Sequence, residues 1–499
     1  MNRKWLLLAT GIATSIFLGS REKFVVPVTW NMEAIKQFHL PPPDPGVDVI
    51  YAPKSYYDSL PEHVITRTFP VYYREFEKPG YLDSLRRLEP EIVFDATKLK
   101  TQEDWIKAGE LVFTWPVSYT PVKDTVSRAV AAQSTAQIPA DGVYHFSRYV
   151  LDKDLGLMVG SLSCASCHTQ VQFGRAIAGA PGNVYNVAPF AQTIRSGKIP
   201  FALLKEGTKT LTFAPWAPAT LRTTPENADE YADNIQSAPH GVIDRQGTAY
   251  LFPVPVPNLF ALKDIRYFDR TGVMKHDNPG DLMRYAAFNQ GLDMLTSYDG
   301  YIPGGKQKNS KLPSSSEWQH PFGYVGKKYT DEQLYALAQY IYSLQPPKNP
   351  NTFPKELVSK GEFVFKKSGC VTCHTPPLYT NNKLTPTNGF EPPEDHFVKY
   401  SIFNVSVETD SVSTLYSRRG TGYYKVPSLR NLWMQPAFFH NGTLGSLEEV
   451  FDQKRLNNDF VPGGYKPVHI KTMAVKGHEF GLDLNEEEKA ALLAFLKTL

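Results

Sequence analysis

Cys164-Ala-Ser-Cys167-His168 and Cys370-Val-Thr-Cys373-His374 together use all four cysteines of a 499-residue chain. A disulfide inside each Cys-x-x-Cys pair would leave the following histidine without a role. A zinc site would add a second Cys or His pair at close spacing. A thioredoxin-like redox pair would follow a strand, open a helix and need one copy only. Attachment of a c-type haem accounts for every residue. Two thiols form thioethers with the vinyl groups, and the adjacent histidine becomes the proximal iron ligand. Cys164, Cys167 and His168 are therefore expected to hold one covalent haem, and Cys370, Cys373 and His374 a second.

The ligand on the far side of each iron decides between electron transfer and catalysis, because a second strong ligand closes the metal to peroxide or dioxygen. For the second haem the candidate is His478 in "KGHEFG", just before the last helical stretch, with His469, His440, Met434 and Met473 as alternatives. For the first, His320 in "HPFG" is its counterpart by symmetry. If H-x-F-G is only a structural turn, the first haem is five-coordinate or faces an apolar pocket, for which Arg175 to Phe190 would supply a wall. Arg418, Arg419 and Arg430 suit haem propionates, since guanidinium pairs well with carboxylate. Trp216, Trp318 and Trp433 are candidates for a relay between haems or for core packing. Asn441 and Gly442 could offer oxygens to calcium.

The elements that must position these residues come in two ordered sets. "KAGELVF" (Lys107 to Phe113) is echoed by "SKGEFVF" (Ser359 to Phe365), and each precedes a haem motif. "VPNLFAL" (Val256 to Leu262) is answered by "VPSLRNL" (Val426 to Leu432), "YFDRTG" by "FFHNG", "YIPGG" by "FVPGG" and "HPFG" by "HEFG". Tyr329 to Leu344 and Asp483 to Leu499 close the two copies as amphipathic helices, with Thr330 and Asn485 as N-caps. The order implies a tandem duplication with the first copy enlarged by loops. The expected fold is mainly α, with two tandem cytochrome c-like domains, long ordered loops and little β. The expected bounds are 24–100 for an N-terminal extension, 101–345 for the first haem domain, 346–354 for a Pro-rich linker and 355–499 for the second.

Bulk composition narrows the partners. A formal charge of +3 and the absence of a Lys/Arg run argue against nucleic acid. Arg3 and Lys4 precede an apolar run from Trp5 to Gly19, so residues 1–23 read as an export signal or a membrane anchor. A periplasmic or secreted location, with or without a tether, is expected.

Tyr423 to Asp452, "YYKVPSLRNLWMQPAFFHNGTLGSLEEVFD", resembles the signature that follows the second haem motif in the bacterial di-haem cytochrome c peroxidase superfamily. That superfamily includes the di-haem enzyme of methylamine dehydrogenase maturation and the di-haem rubber oxygenases. The resemblance spans roughly residues 101–499. It implies two cytochrome c-like domains, calcium in several members, and one haem that reacts with peroxide or dioxygen while the other stores or relays electrons. Two departures stand out. Thr169 to Phe190 contains no histidine where the peroxidases have a distal one, and "QKRLNND" replaces a methionine after "LEE". Both lean toward the rubber-oxygenase branch. An exported oxidoreductase acting on a small oxidant with an electron donor or apolar organic substrate is the leading expectation. A non-catalytic carrier with both irons six-coordinate, through His320 and His478, is the alternative.

Overall fold

The computed structural model describes residues 24–122, 138–182, 188–211, 213–243, 250–289, 296–303 and 327–499. His320, Trp318 and the N-terminal apolar run lie outside the described residues.

Two helix pairs frame the molecule. Helix α1 (Gln102–Thr114) packs on α2 (Asp331–Ser343), and α3 (Lys355–Lys367) packs on α4 (Glu486–Leu496). Three of the four start with a capping box, Thr101 with Asp104, Thr330 with Gln333 and Asn485 with Glu488, which satisfies amide donors left over in the first turn. Helix α3 instead starts after Pro354, which sets an extended entry without a side-chain cap. The apolar faces meet in separate cores, with Trp105, Phe113, Leu334 and Ile341 in one and Val364, Phe365, Leu492 and Phe495 in the other.

Both pairs cross at a glycine. A Cβ on Gly109 would lie 2.0 Å from the Ala336 carbonyl oxygen and 2.6 Å from Tyr340 Cβ. A Cβ on Gly361 would lie 2.0 Å from the Ala491 carbonyl oxygen and 2.7 Å from Phe495 Cβ. The glycine shared by "KAGELVF" and "SKGEFVF" is thus where the two backbones touch, and any side chain there would force the helices apart.

The echoed loops also share a backbone track. Ala261 and Asn431, at φ of 55° and 59°, open matching 3-10 turns at Leu262–Asp264 and Leu432–Met434. Asp269 and Phe439 are left-handed at 64° and 65°. Left-handed backbone is uncommon for such residues, so its recurrence at equivalent places reflects one template used twice. Residues 346–354 form neither helix nor strand and are tied down by Asn349 Nδ2, which donates to the Lys497 carbonyl at 2.9 Å.

The expectation of little β is corrected. An antiparallel four-stranded sheet joins β1 (Thr68–Tyr72), β2 (Ser118–Pro121), β3 (Val143–Asp152) and β4 (Gly156–Ser161) in the order β1-β3-β4-β2. Three strands come from the stretch separating α1 from the first haem motif, and the fourth from the N-terminal segment. The enlargement of the first copy ahead of its haem motif is therefore a sheet, and the stretch after the motif adds helices at Ala188–Arg195, Phe201–Leu211 and Ala228–Ser237. Val71, Tyr149, Leu151, Leu157 and Val159 bury its apolar face. The N-terminal segment is woven into the first copy as well: Trp30, 1% exposed, stacks on Tyr57 at 4.9 Å and donates its Nε1–H to the Ala52 carbonyl, while Thr29 N–H binds Asp331 on α2.

Two outcomes are expected. Gly361→Ala should lower unfolding free energy by roughly 1–3 kcal/mol, read by urea titration; wild-type stability would refute the close crossing. His63 packs on Tyr329 and Trp115, and burial, helped by Lys327, lowers its pKa to about 4. The unfolded chain protonates first, so this contribution is complete above pH 6.5 and is lost as pH falls toward 4. His63→Gln should flatten that acid loss by up to about 3 kcal/mol, seen in stability measured across that window.

Candidate haem sites

Each Cys-x-x-Cys is wound into a single turn, a helical one at Cys164–Cys167 and a 3-10 turn at Cys370–Thr372, which sets the two thiols on one side. None of the four cysteines is disulfide-bonded. Burial raises the thiol pKa at Cys164 to about 12 and raises those of Cys370 and Cys373 as well, which favours the neutral thiol at these three. Among the described residues no group of three or more His, Cys, Asp or Glu is arranged to hold a metal ion.

The histidines of the two motifs are oriented in the same way. His168 Nδ1 lies 3.1 Å from the Pro257 carbonyl, and His374 Nδ1 lies 3.2 Å from the Pro427 carbonyl and 3.1 Å from that of Tyr379. A carbonyl only accepts, so Nδ1 carries the proton and Nε2 is left with a lone pair for iron. Pro257 and Pro427 are the prolines of "VPNL" and "VPSL". The echoed motif thus fixes the tautomer and ring direction of each proximal histidine, a role that the sequence reading missed although the repeat itself marked the residues.

Around the first motif, Ser163 and Ser166 form a reciprocal cap, and Ser166 Oγ donates to the Phe146 carbonyl on β3 at 3.1 Å. A hairpin of β5 (Thr169–Gln172) and β6 (Arg175–Ala178) then returns the chain, so that Gly179 N–H binds the His168 carbonyl at 2.7 Å. Around the second, Asn381 N–H binds the Cys373 carbonyl at 2.7 Å and Ser428 Oγ donates to the Leu378 carbonyl.

Opposite His374 stands His478. Their ring centroids are 6.4 Å apart. Two imidazoles bound to opposite sides of one metal, each nitrogen about 2 Å from it, leave centroids roughly 6 Å apart. His478 Nδ1 is buried with no hydrogen-bond partner, a deficit that ligation or a haem-side contact would relieve. Burial, reinforced by His374 and Arg455, lowers the His478 pKa to about 4, so the ring is neutral at ordinary pH, as a ligand must be. The residues of the second motif therefore fit a c-type haem with histidine on both faces.

The other sequence candidates fall elsewhere. His469 is exposed. His440 packs on Tyr424 at 4.6 Å with Nε2 at 3.7 Å from Asp410. Met434 is buried against Phe260 and Trp433, and Met473 spends its backbone N–H on Phe460. Trp216 donates to the Leu415 carbonyl at 2.8 Å. Arg419 is buried against Asn289 and the Phe288 carbonyl, 3.6 Å from Asp269, and Arg418 is buried beside it. Arg430 is half-buried; its amide is held by Ser428 Oγ at 3.2 Å, and no ion pair to its guanidinium occurs among the described residues. Asn441 Oδ1 and the Gly442 carbonyl already accept backbone amides from Thr443 and Tyr465.

The two sites define a protein with a pair of c-type haem-binding motifs built on one plan. No protein-family model matches the chain. It is 27% identical over 143 residues to cytochrome c551 peroxidase of Nitrosomonas europaea, covering 28% of this chain and 33% of that one. It is 29% identical over 143 residues to methylamine utilization protein MauG of Methylorubrum extorquens, covering 27% and 31%. With cytochrome-c peroxidase IdrP2 of a Pseudomonas species the identity is 24% over 252 residues, covering 44% and 61%. The diheme peroxidase BthA of Burkholderia thailandensis superposes with a TM-score of 0.29 at 16% identity, covering 87% of this chain and 95% of that one, too loose a likeness to carry the fold. Together with the two motifs, these similarities support the resemblance to the bacterial di-haem peroxidase and MauG superfamily. The matched segments span about a third of the length of the first two relatives.

Replacing both Cys370 and Cys373 by serine should halve the covalent haem, leaving one per chain in a pyridine haemochrome assay. Two haems per chain after that change would refute the attachment.

Proposed function

We propose that the protein is an exported di-haem oxidoreductase with separated tasks at its two sites. When bound, the haems supply the redox chemistry, one storing or relaying electrons and the other reacting with peroxide or dioxygen. The observation that carries the reading is the facing pair His374 and His478, 6.4 Å between ring centroids. A site closed by two imidazoles has no face for an oxidant, so its residues serve electron storage. Catalysis then falls to the site of Cys164, Cys167 and His168, whose following loop has no histidine in Thr169 to Phe190.

The proximal residues play the same part at both sites. The Pro257 and Pro427 carbonyls accept a hydrogen bond from Nδ1–H, which raises the basicity of Nε2 and fixes the ring. We assign Arg430 to a haem propionate, since the residue is half-buried and follows the Pro427 turn directly in the chain. The domain bounds at 101–345 and 355–499 follow the two glycine-crossed helix pairs. Export to the periplasm agrees with haem attachment outside the cytoplasm and with the charged, then apolar, N-terminus. No helix among the described residues is long and apolar enough to cross a membrane.

Peroxide is the favoured oxidant, because two of the similar proteins are named peroxidases. An electron donor completes that reaction. An apolar organic substrate under dioxygen, as in the rubber-oxygenase branch, is the second reading, favoured by the His/His pair. Electron paramagnetic resonance of the oxidised protein should give one low-spin His/His signal and one high-spin signal, with peroxide consumed in the presence of a reductant. Two low-spin His/His signals without turnover would make the protein an electron carrier. His478→Ala should make the second haem high-spin; an unchanged spectrum would remove His478 as ligand.

A further inference from the structure

Arg455 is fully buried, at 0% exposure, in the "QKRLNND" stretch. Its guanidinium makes no carboxylate ion pair among the described residues. It donates instead to three backbone carbonyls: Nε to Val450 at 3.1 Å, Nη1 to Val475 at 2.5 Å and Nη2 to His478 at 2.9 Å. Its face lies 5.1 Å from the centroid of Phe439, whose ring contacts that of His478 at 6.1 Å. The Val475 N–H returns the contact to the Arg455 carbonyl at 2.6 Å.

Such an arrangement needs a reason. Burying a cation without an ion pair is costly, offset here only at longer range by the carboxylates of Glu479 and Asp452, and a neutral apolar side chain could fill the volume without that cost. What the cation holds is the strap that carries His478. That residue sits at φ of 49°, a left-handed conformation that is uncommon outside glycine and strained. It persists because both backbone polar groups of His478 are pinned. Its N–H goes to the Val407 carbonyl at 2.6 Å and its carbonyl to Arg455. Gly477 beside it, at φ of 84°, passes so close to Thr409 that a Cβ would lie 2.5 Å from that amide nitrogen.

We infer that Arg455 is the positioning residue for His478, aiming the imidazole at the second iron through its backbone carbonyl and placing a buried positive charge next to that site. The inference rests on His478 as distal ligand. Three carbonyls converging on a planar fork suit guanidinium and not an ammonium point charge. A fixed positive charge near the metal favours the reduced state, so the residue sets the reduction potential as well as the ligand's direction.

The test uses haem-loaded protein verified to carry two haems per chain. Arg455→Met should lose most of the low-spin His/His signal and shift the midpoint of the second haem to lower potential. Arg455→Lys keeps the charge without the fork. It should give mixed low- and high-spin signals with a midpoint closer to wild type, and it decides the matter alone if the methionine variant fails to load haem. A wild-type low-spin spectrum and midpoint in whichever variant loads haem would overturn the inference. His478→Ala, run alongside, separates the two claims. If it turns high-spin while the Arg455 variants do not change, only the role of Arg455 falls; if it stays low-spin, the ligand assignment itself falls.

Discussion

The hydrogen bond from each proximal imidazole to a proline carbonyl is the constraint on which the two sites depend. His168 reaches Pro257 across 89 residues of chain, and His374 reaches Pro427 across 53. Without it the ring could turn and either nitrogen could carry the proton, and a Cys-x-x-Cys-His loop alone would not specify a ligand direction. Satisfying it requires the haem turn and the "VPxL" track to be held side by side. Each helix pair, locked at Gly109 or Gly361, frames the copy in which this happens. The left-handed residues at Ala261 and Asn431 then carry the chain on into the 3-10 turn.

Around this shared plan the copies diverge. The first motif is braced by a sheet through Ser166 and Phe146, and a hairpin returns to its histidine carbonyl. The second is returned to by Asn381, whose N–H binds the Cys373 carbonyl, and by the paired strands Leu384–Pro386 and Tyr423–Lys425. It gains a strap from Val475 to His478, drawn in by Arg455 and by the Val407 carbonyl, that brings a second imidazole over the motif. Burial and the neighbouring charges keep that imidazole neutral. Among the described residues, the first site is organised around its support and the second around its closure, and the proposed division of tasks rests on that contrast.

Much of this was legible in the sequence because the signals were local or repeated. The cysteine spacing marked both Cys-x-x-Cys-His turns, the caps at Thr330 and Asn485 marked the closing helices, and repetition picked out "VPNL" and "VPSL" before any role was apparent. His478 stood out because it precedes the last cap. The four-stranded sheet was hidden for a physical reason: its strands come from two separated parts of the chain, and the pairing of Thr68–Tyr72 with Val143–Asp152 is non-local. Arg455 was passed over because a single arginine in a polar stretch reads as surface charge, and only the fold shows it at 0% exposure among three carbonyls.

The central claim is that His374 and His478 face one iron. Diffraction from crystals of the haem-loaded protein at the iron absorption edge locates that metal directly. An anomalous peak between the two rings is the result expected. A peak beside His374 with no imidazole on its far side, or with a methionine there, would contradict it.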